Sequence, residues 1–200
     1  MQLDIGVERD HIESHTKASG VNALSELIWN SLDADATQIE IEYKSTSLGG
    51  YEYIRVSDNG HGLTYEKAKD VFSRLGGSEK KVRTKSPGGR PYHGKEGKGR
   101  YKSLALGDIV EFQSIYKNGE TFSKFTATID RNQLSKTEIS DIKQLPKSKT
   151  WQSGFQITIS NTEPKNIDHA VLWENRKEYE EKFASYWIVN KKRLKGDYLS

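Results

Sequence analysis

Residues 26–37 read ELIWNSLDADAT and close a longer segment, Ala18 to Ala34, whose broad apolar face predicts a helix. At about 100° per residue, Glu26, Asn30 and Asp33 fall in one narrow stripe, while Leu24, Ile28 and Leu32 take the opposite side. A surface helix would turn such a stripe to water. The stripe nevertheless carries a carboxylate, a carboxamide and a second carboxylate, and includes no lysine or arginine to partner them. That donor set suits a hard cation such as Mg²⁺, which takes one or two protein oxygens and completes its shell with phosphate and water. An asparagine carbonyl can serve as one ligand and leave a nearby carboxylate free as a base.

The segments that follow alternate as strands do. QIEIEY (38–43) has the period of a half-buried strand, glycines 49 and 50 mark a turn, and Tyr51 to Val56 completes a predicted hairpin. SDNGHG (57–62) is a tight loop rich in residues that tolerate positive φ. There Asp58 ends a strand, where its carboxylate can accept from an exocyclic amine, and the glycines let backbone approach a flat ring; a plain turn has the same pattern. Thr64 can cap a helix running to about Leu75, with Glu66 and Lys67 in its first turn. HGKEGKG (93–99) leads into a predicted helix over Gly99–Leu106, a place where exposed N–H groups suit phosphate. No G-x-x-x-x-G-K-[ST] loop occurs. Ile109–Tyr116 and Thr121–Ile129 form a hairpin around Asn118-Gly119, and Phe155–Ser160 is another strand. Asp168 to Trp187 reads as a final amphipathic helix bearing Leu172, Tyr179, Phe183 and Trp187 on one side.

Composition narrows the function classes. The 200 residues hold 31 Lys or Arg, 28 Asp or Glu and no cysteine, which excludes disulfides, thiolate metal sites and a thiol nucleophile. No apolar run approaches the ~20 residues of a membrane-spanning helix, and the start, MQLDIGVERDHIESH, lacks the basic head and apolar stretch of a signal peptide. A soluble, cytoplasmic protein is the expectation. The charge is uneven: Arg74 to Lys102 holds ten basic and two acidic residues, so +8, leaving −5 for the rest of a +3 chain. Seven of the 17 glycines share that window, which reads as a solvated loop or as a cover for an anion. His11, His15, His61, His93 and His169 are too scattered for a metal pattern.

Taken in order, three of these stretches resemble the motifs of the GHKL ATPases, the group of gyrase B subunits, ninety-kilodalton heat-shock chaperones, MutL and MORC proteins and histidine kinases. ELIWNSLDADAT resembles the first motif, SDNGHG the second and HGKEGKGRYKS the third, and the resemblance covers about residues 18–160. The first motif followed by a strand is most similar to MutL and MORC. The resemblance implies an α+β fold, a Bergerat-type two-layer sandwich with a mostly antiparallel mixed sheet covered on one face by helices. It implies ATP and Mg²⁺ as cofactors, Glu26 as the base that activates water, Asn30 as the metal ligand and Asp33 as an orienting neighbour. Asp58 would read the adenine amine, with Gly60 and Gly62 shaping the pocket. Gly94, Gly97 and Gly99 would wrap the phosphates, and Ala34, Lys95 and Lys98 complete the nucleotide-contacting set. Histidine kinases generally lack the acid at the Glu26 position, so its presence argues for a hydrolase.

The implied organisation is an N-terminal arm or strap over 1–17, the ATP-binding domain over 18–165 with a lid about 76–99, and a C-terminal helix over 166–200 that starts a missing continuation. The implied behaviour is ATP-gated lid closure and ATP-dependent homodimerisation, or union with a partner polypeptide carrying the transducer domain. A non-hydrolysing nucleotide sensor and a nucleic-acid-binding module using residues 74–102 on DNA are the alternatives; no membrane partner is expected. One departure stands out: the family's fourth motif places a threonine after a glycine, and here Phe155 follows Gly154. Ser153 and Thr158 carry the nearby hydroxyls, but strand alternation turns Thr158 away from the face of Phe155, Ile157 and Ile159, so this contact stays unassigned.

Overall fold

The computed structural model describes residues 2–4, 18–46, 51–73, 85–92, 99–134 and 136–162. The expected arm beyond Asp4, the glycine turn at 49–50, residues 74–84 and 93–98 of the basic, glycine-rich segment and the C-terminal helix lie outside the described residues.

Alternation along the strands builds the sheet. Strands β1 (Gln2–Asp4), β2 (Ile39–Ser45), β3 (Tyr51–Asp58), β4 (Ile109–Asn118), β5 (Thr121–Asp130), β6 (Lys136–Ile139), β7 (Lys143–Gln144) and β8 (Gly154–Ser160) join in one sheet. Its order is β1-β6-β5-β4-β8-β3-β2, with β7 paired to β5. All described pairings are antiparallel. Strand β8, late in the chain, inserts between β3 and β4 and so brings Gly154 and Phe155 beside Asp58.

Register stacks apolar side chains into rows. Ile54, Ile159, Val110 and Ile129 are successive cross-strand neighbours, as are Val56, Ile157, Phe112 and Ala127, and all eight are buried. Because side chains alternate, the intervening row of Arg55, Thr158, Glu111 and Thr128 lies on the other face. That face is polar. Arg55 there donates to Glu42 at 2.8 Å and lies 4.6 Å from the Tyr53 ring centre. Thr158 Oγ1 meets Arg55 Nε at 3.4 Å, as its position in the alternation requires.

The apolar rows are covered by helices. Helix α1 spans Gly20–Asp33 and is capped by Ser19, whose hydroxyl accepts from the Asn22 N–H at 3.3 Å. Ala23, Leu24, Leu27 and Ile28 of α1 all join the core. Helix α2, Tyr65–Ser73, begins after Thr64, whose carbonyl accepts from Ala68 N, and its Phe72 packs on Phe112 at 5.2 Å between ring centres. A single α-helical turn, α3 (Gly99–Lys102), runs on into a 3-10 turn over Ser103–Ala105, where a continuous helix to Leu106 was expected. Tyr101 and Leu104 are fully buried there. The arrangement is the expected α+β sandwich with its helices on one face of the sheet. No helix among the described residues is long and apolar enough to cross a membrane.

Candidate functional site

Asp58 is the last residue of β3, and α1, the loop that follows and β8 each supply its carboxylate with a donor. Its Oδ1 accepts from Gly60 N at 2.9 Å and from Phe155 N at 3.2 Å, and its Oδ2 accepts from the Ser31 hydroxyl at 2.7 Å. The single Ser31 hydrogen also has Leu27 O at 3.2 Å, a longer contact with a weaker acceptor. A carboxylate offers about four lone-pair sites. Three are taken, and the fourth, on Oδ2, suits one further N–H donor. Burial pushes the Asp58 carboxyl above its ordinary 3.8, against the opposing pull of Ser31, Gly60, Phe155 and His61.

The sign of that shift gives a stability prediction. The folded chain holds the Asp58 proton more tightly than the unfolded chain, so the contribution is fully present below about pH 3.8 and is lost as pH rises through the raised value. Urea midpoints of wild type and Asp58→Asn, followed upward from pH 3.5, should show wild type losing ground to the variant across that window. A rise of wild type relative to the variant would mean the carboxylate is net stabilised by its donors.

The loop after Asp58 is shaped by close packing. A Cβ on Gly60 would sit 2.5 Å from Ala34 O and 2.9 Å from Ala34 Cβ, and Gly62 has φ +69° with Ile115 O at 2.3 Å from the Cβ position. His61 N donates to Ala34 O at 3.0 Å, so the loop docks on the end of α1. Asn59 completes the dock: its Oδ1 accepts from Thr37 N at 2.9 Å and Gln38 N at 2.8 Å. Gly60→Ala should therefore cost about 1–3 kcal/mol of stability by overpacking, measurable as a lower urea midpoint.

Helix α1 carries Glu26, Asn30 and Asp33, but the stripe is not a solvent face. Glu26 and Asn30 are half-buried and Asp33 is buried. The stripe's lack of a basic partner does not hold once the chain folds. Lys102, 76 residues away in sequence, places Nζ 2.8 Å from Glu26 Oε2. Spacing within a helix cannot reveal a partner delivered by another element. Gly99 opens α3, and Gly94, Lys95, Gly97 and Lys98 lie outside the described residues.

Part of the basic segment is committed to the protein itself. Ser86 Oγ donates to Asp35 Oδ1 at 2.6 Å, and Gly88 N to Asp35 Oδ2 at 2.8 Å. Arg90 Nη1 donates to Ala36 O at 2.8 Å and Leu32 O at 3.4 Å, satisfying carbonyls at the end of α1. Residues 85–92 thus form a turn pinned to the DADA stretch, inside the span expected to be lid. The pinning agrees with the unusual φ of +60° at Asp35. Neither Ser86 nor Arg90 carried a sequence signal for this role.

Phe155, which stands where the resemblance places a threonine, contributes to the Asp58 site through its main chain. Its backbone N–H reaches Asp58, and Gly154 lets β8 come close enough, since a Cβ there would lie 2.2 Å from Asp58 O. The donor is main chain, so it does not depend on the side chain at this position. Of the histidines, only His61 is described, with Nδ1 2.7 Å from Gly62 O. No group of His, Asp and Glu able to hold a metal unaided occurs among the described residues.

Comparison with known proteins decides the family. The sequence profile of the histidine kinase-, DNA gyrase B- and HSP90-like ATPases matches residues 18–162. The chain belongs to this ATPase family. Its matched region is accordingly an ATP-binding module. Among similar proteins is the DNA mismatch repair protein MutL of Kosmotoga olearia, 52% identical over 48 residues, or 24% of this chain and 8% of that protein. MutL of Aquifex aeolicus is 42% identical over 66 residues, or 33% of this chain and 14% of that protein. These alignments thus span only a small part of the relatives' lengths. The solved N-terminal domain of a DNA repair protein superposes with a TM-score of 0.48 at 20% identity, covering 91% of this chain and 44% of that one.

Proposed function

We propose that this ATPase-family module binds Mg-ATP between the Asp58 loop and α1 and hydrolyses it with Glu26 as general base. The observation that carries the reading is the environment of Asp58: three intramolecular donors occupy three acceptor sites and leave one on Oδ2. An adenine 6-amine is a donor of the right kind for that site, and Gly60 and Gly62 keep the loop close to it. The donor set on α1 fits the cation as well. Asn30 offers a neutral oxygen from a half-buried helix position, and Asp33 is buried one turn further on.

When bound, the metal would offset triphosphate charge and orient the terminal phosphate. The chain's own residues supply the rest. Asn30 holds the metal, Asp33 and Ala34 support the adjacent turn, and Glu26 orients a water and accepts its proton. Gly94, Gly97 and Gly99 offer backbone N–H groups to the phosphates, and Lys95 and Lys98 add positive charge. Residues 76–99 serve as the lid, with the turn at 85–92 as its fixed point on α1. Closure of the lid on ATP, followed by pairing with a second copy or with a polypeptide carrying a transducer domain, makes the module the switch of a larger assembly in the cytoplasm. Titration of a non-hydrolysable ATP analogue with Mg²⁺ into wild type and Asp58→Asn tests the reading. Binding by wild type that is lost in the variant supports it, and equal affinity in both contradicts it.

A further inference from the structure

The Lys102–Glu26 pair joins two segments that the proposed mechanism needs together. Glu26 is 20% exposed at its side chain and Lys102 37%, and no other acid in the described ion pairs is as shielded as Glu26. Most of the other pairs are local or bridge adjacent strands on the surface, such as Lys69–Glu66 and Lys44–Glu52. Lys102 is delivered from a fixed base: Tyr101 before it and Ser103 and Leu104 after it are fully buried. The ammonium therefore reaches Glu26 from a backbone with little freedom to move.

A glutamate acting on water needs one oxygen held toward that water, and a free side chain samples several rotamers. Here Oε2 is engaged by Lys102 at 2.8 Å, and Oε1 has no hydrogen-bond partner among the described residues. We infer that Lys102 is a positioning residue for Glu26: it fixes the carboxylate by Oε2 and leaves Oε1 to accept from water. Lys102 stands three residues after Gly99, the last glycine of the phosphate-binding stretch. One short unit thus sets both the end of the phosphate cradle and the direction of the base. The inference rests on the reading of Glu26 as base.

The test uses Lys102→Met and Lys102→Arg in the full-length protein, in the assembly that turns ATP over. Lys102→Met should lower kcat by about 10- to 100-fold, the scale of a misplaced reacting group. KM for ATP and calorimetric affinity for a non-hydrolysable ATP analogue should stay within about twofold, because a residue that acts through Glu26 does not hold the ground state. Lys102→Arg should recover most of the rate. In a Glu26→Ala background, Lys102→Met should bring no further loss. Analogue affinity reduced tenfold or more would assign Lys102 to the phosphates and overturn the inference. Unchanged or faster turnover would overturn it too, the latter by showing a restraint on the base. If Glu26→Ala is inactive while Lys102→Met is normal, this inference alone fails; if Glu26→Ala itself turns over normally, the base assignment fails first.

Discussion

Glu26→Ala is expected to bind Mg-ATP with wild-type affinity and to lose turnover by about 10²–10⁴-fold, the usual contribution of a positioned general base. The expectation follows from its place in the fold. The carboxylate sits half-buried on α1, one helical turn from Asn30, with one oxygen engaged by Lys102. Its removal deletes the group that acts on water and leaves the Asp58 contacts untouched. Affinity measured by calorimetry and phosphate release measured on the same preparation separate the two effects. Loss of binding together with loss of turnover would place Glu26 in the binding machinery instead, and hydrolysis near the wild-type rate would remove it from the reaction.

Asp58→Ala should weaken nucleotide binding by about 10- to 150-fold, the equivalent of ~1.5–3 kcal/mol for a hydrogen bond to a charged group. This substitution also strands three donors, the Ser31 hydroxyl and the N–H groups of Gly60 and Phe155, so its urea midpoint should fall as well. Asp58→Asn separates the two consequences. Its remaining carbonyl oxygen can take the place of Oδ1 and accept from Gly60 and Phe155, while its amide nitrogen opposes an incoming amine donor to donor. Binding should fail in the asparagine variant even where the fold survives. Unaltered affinity in both variants would contradict the adenine role of Asp58.

Periodicity made α1, the β2–β3 and β4–β5 hairpins and β8 legible, because each repeats its apolar residues at the period of its own geometry. The short strands Lys136–Ile139 and Lys143–Gln144 were not legible, since a few residues held by pairing to β5 carry no pattern of their own. At the site, Asp58, Gly60 and Gly62 announced themselves by residue type, and packing around Ala34 and Ile115 accounts for both glycines. The partners of Asp58 were hidden. Ser31 lies 27 residues from it and Phe155 97, and the latter contributes only main chain, which no side-chain pattern can signal. The same holds for charge. Counting basic residues suggested a segment free to meet phosphate, but Arg90 is spent on the carbonyls of Leu32 and Ala36 and Lys102 on Glu26. Composition counts charges, and only the fold shows which are engaged.

The most direct measurement is a structure of the full-length protein with Mg²⁺ and a non-hydrolysable ATP analogue. The adenine 6-amine is expected within about 3.2 Å of Asp58 Oδ2, with the Ser31 hydroxyl still on the same oxygen and Asn30 on the metal. An adenine ring bound elsewhere, or seated beside Asp58 with its amine turned to another acceptor, would contradict this expectation.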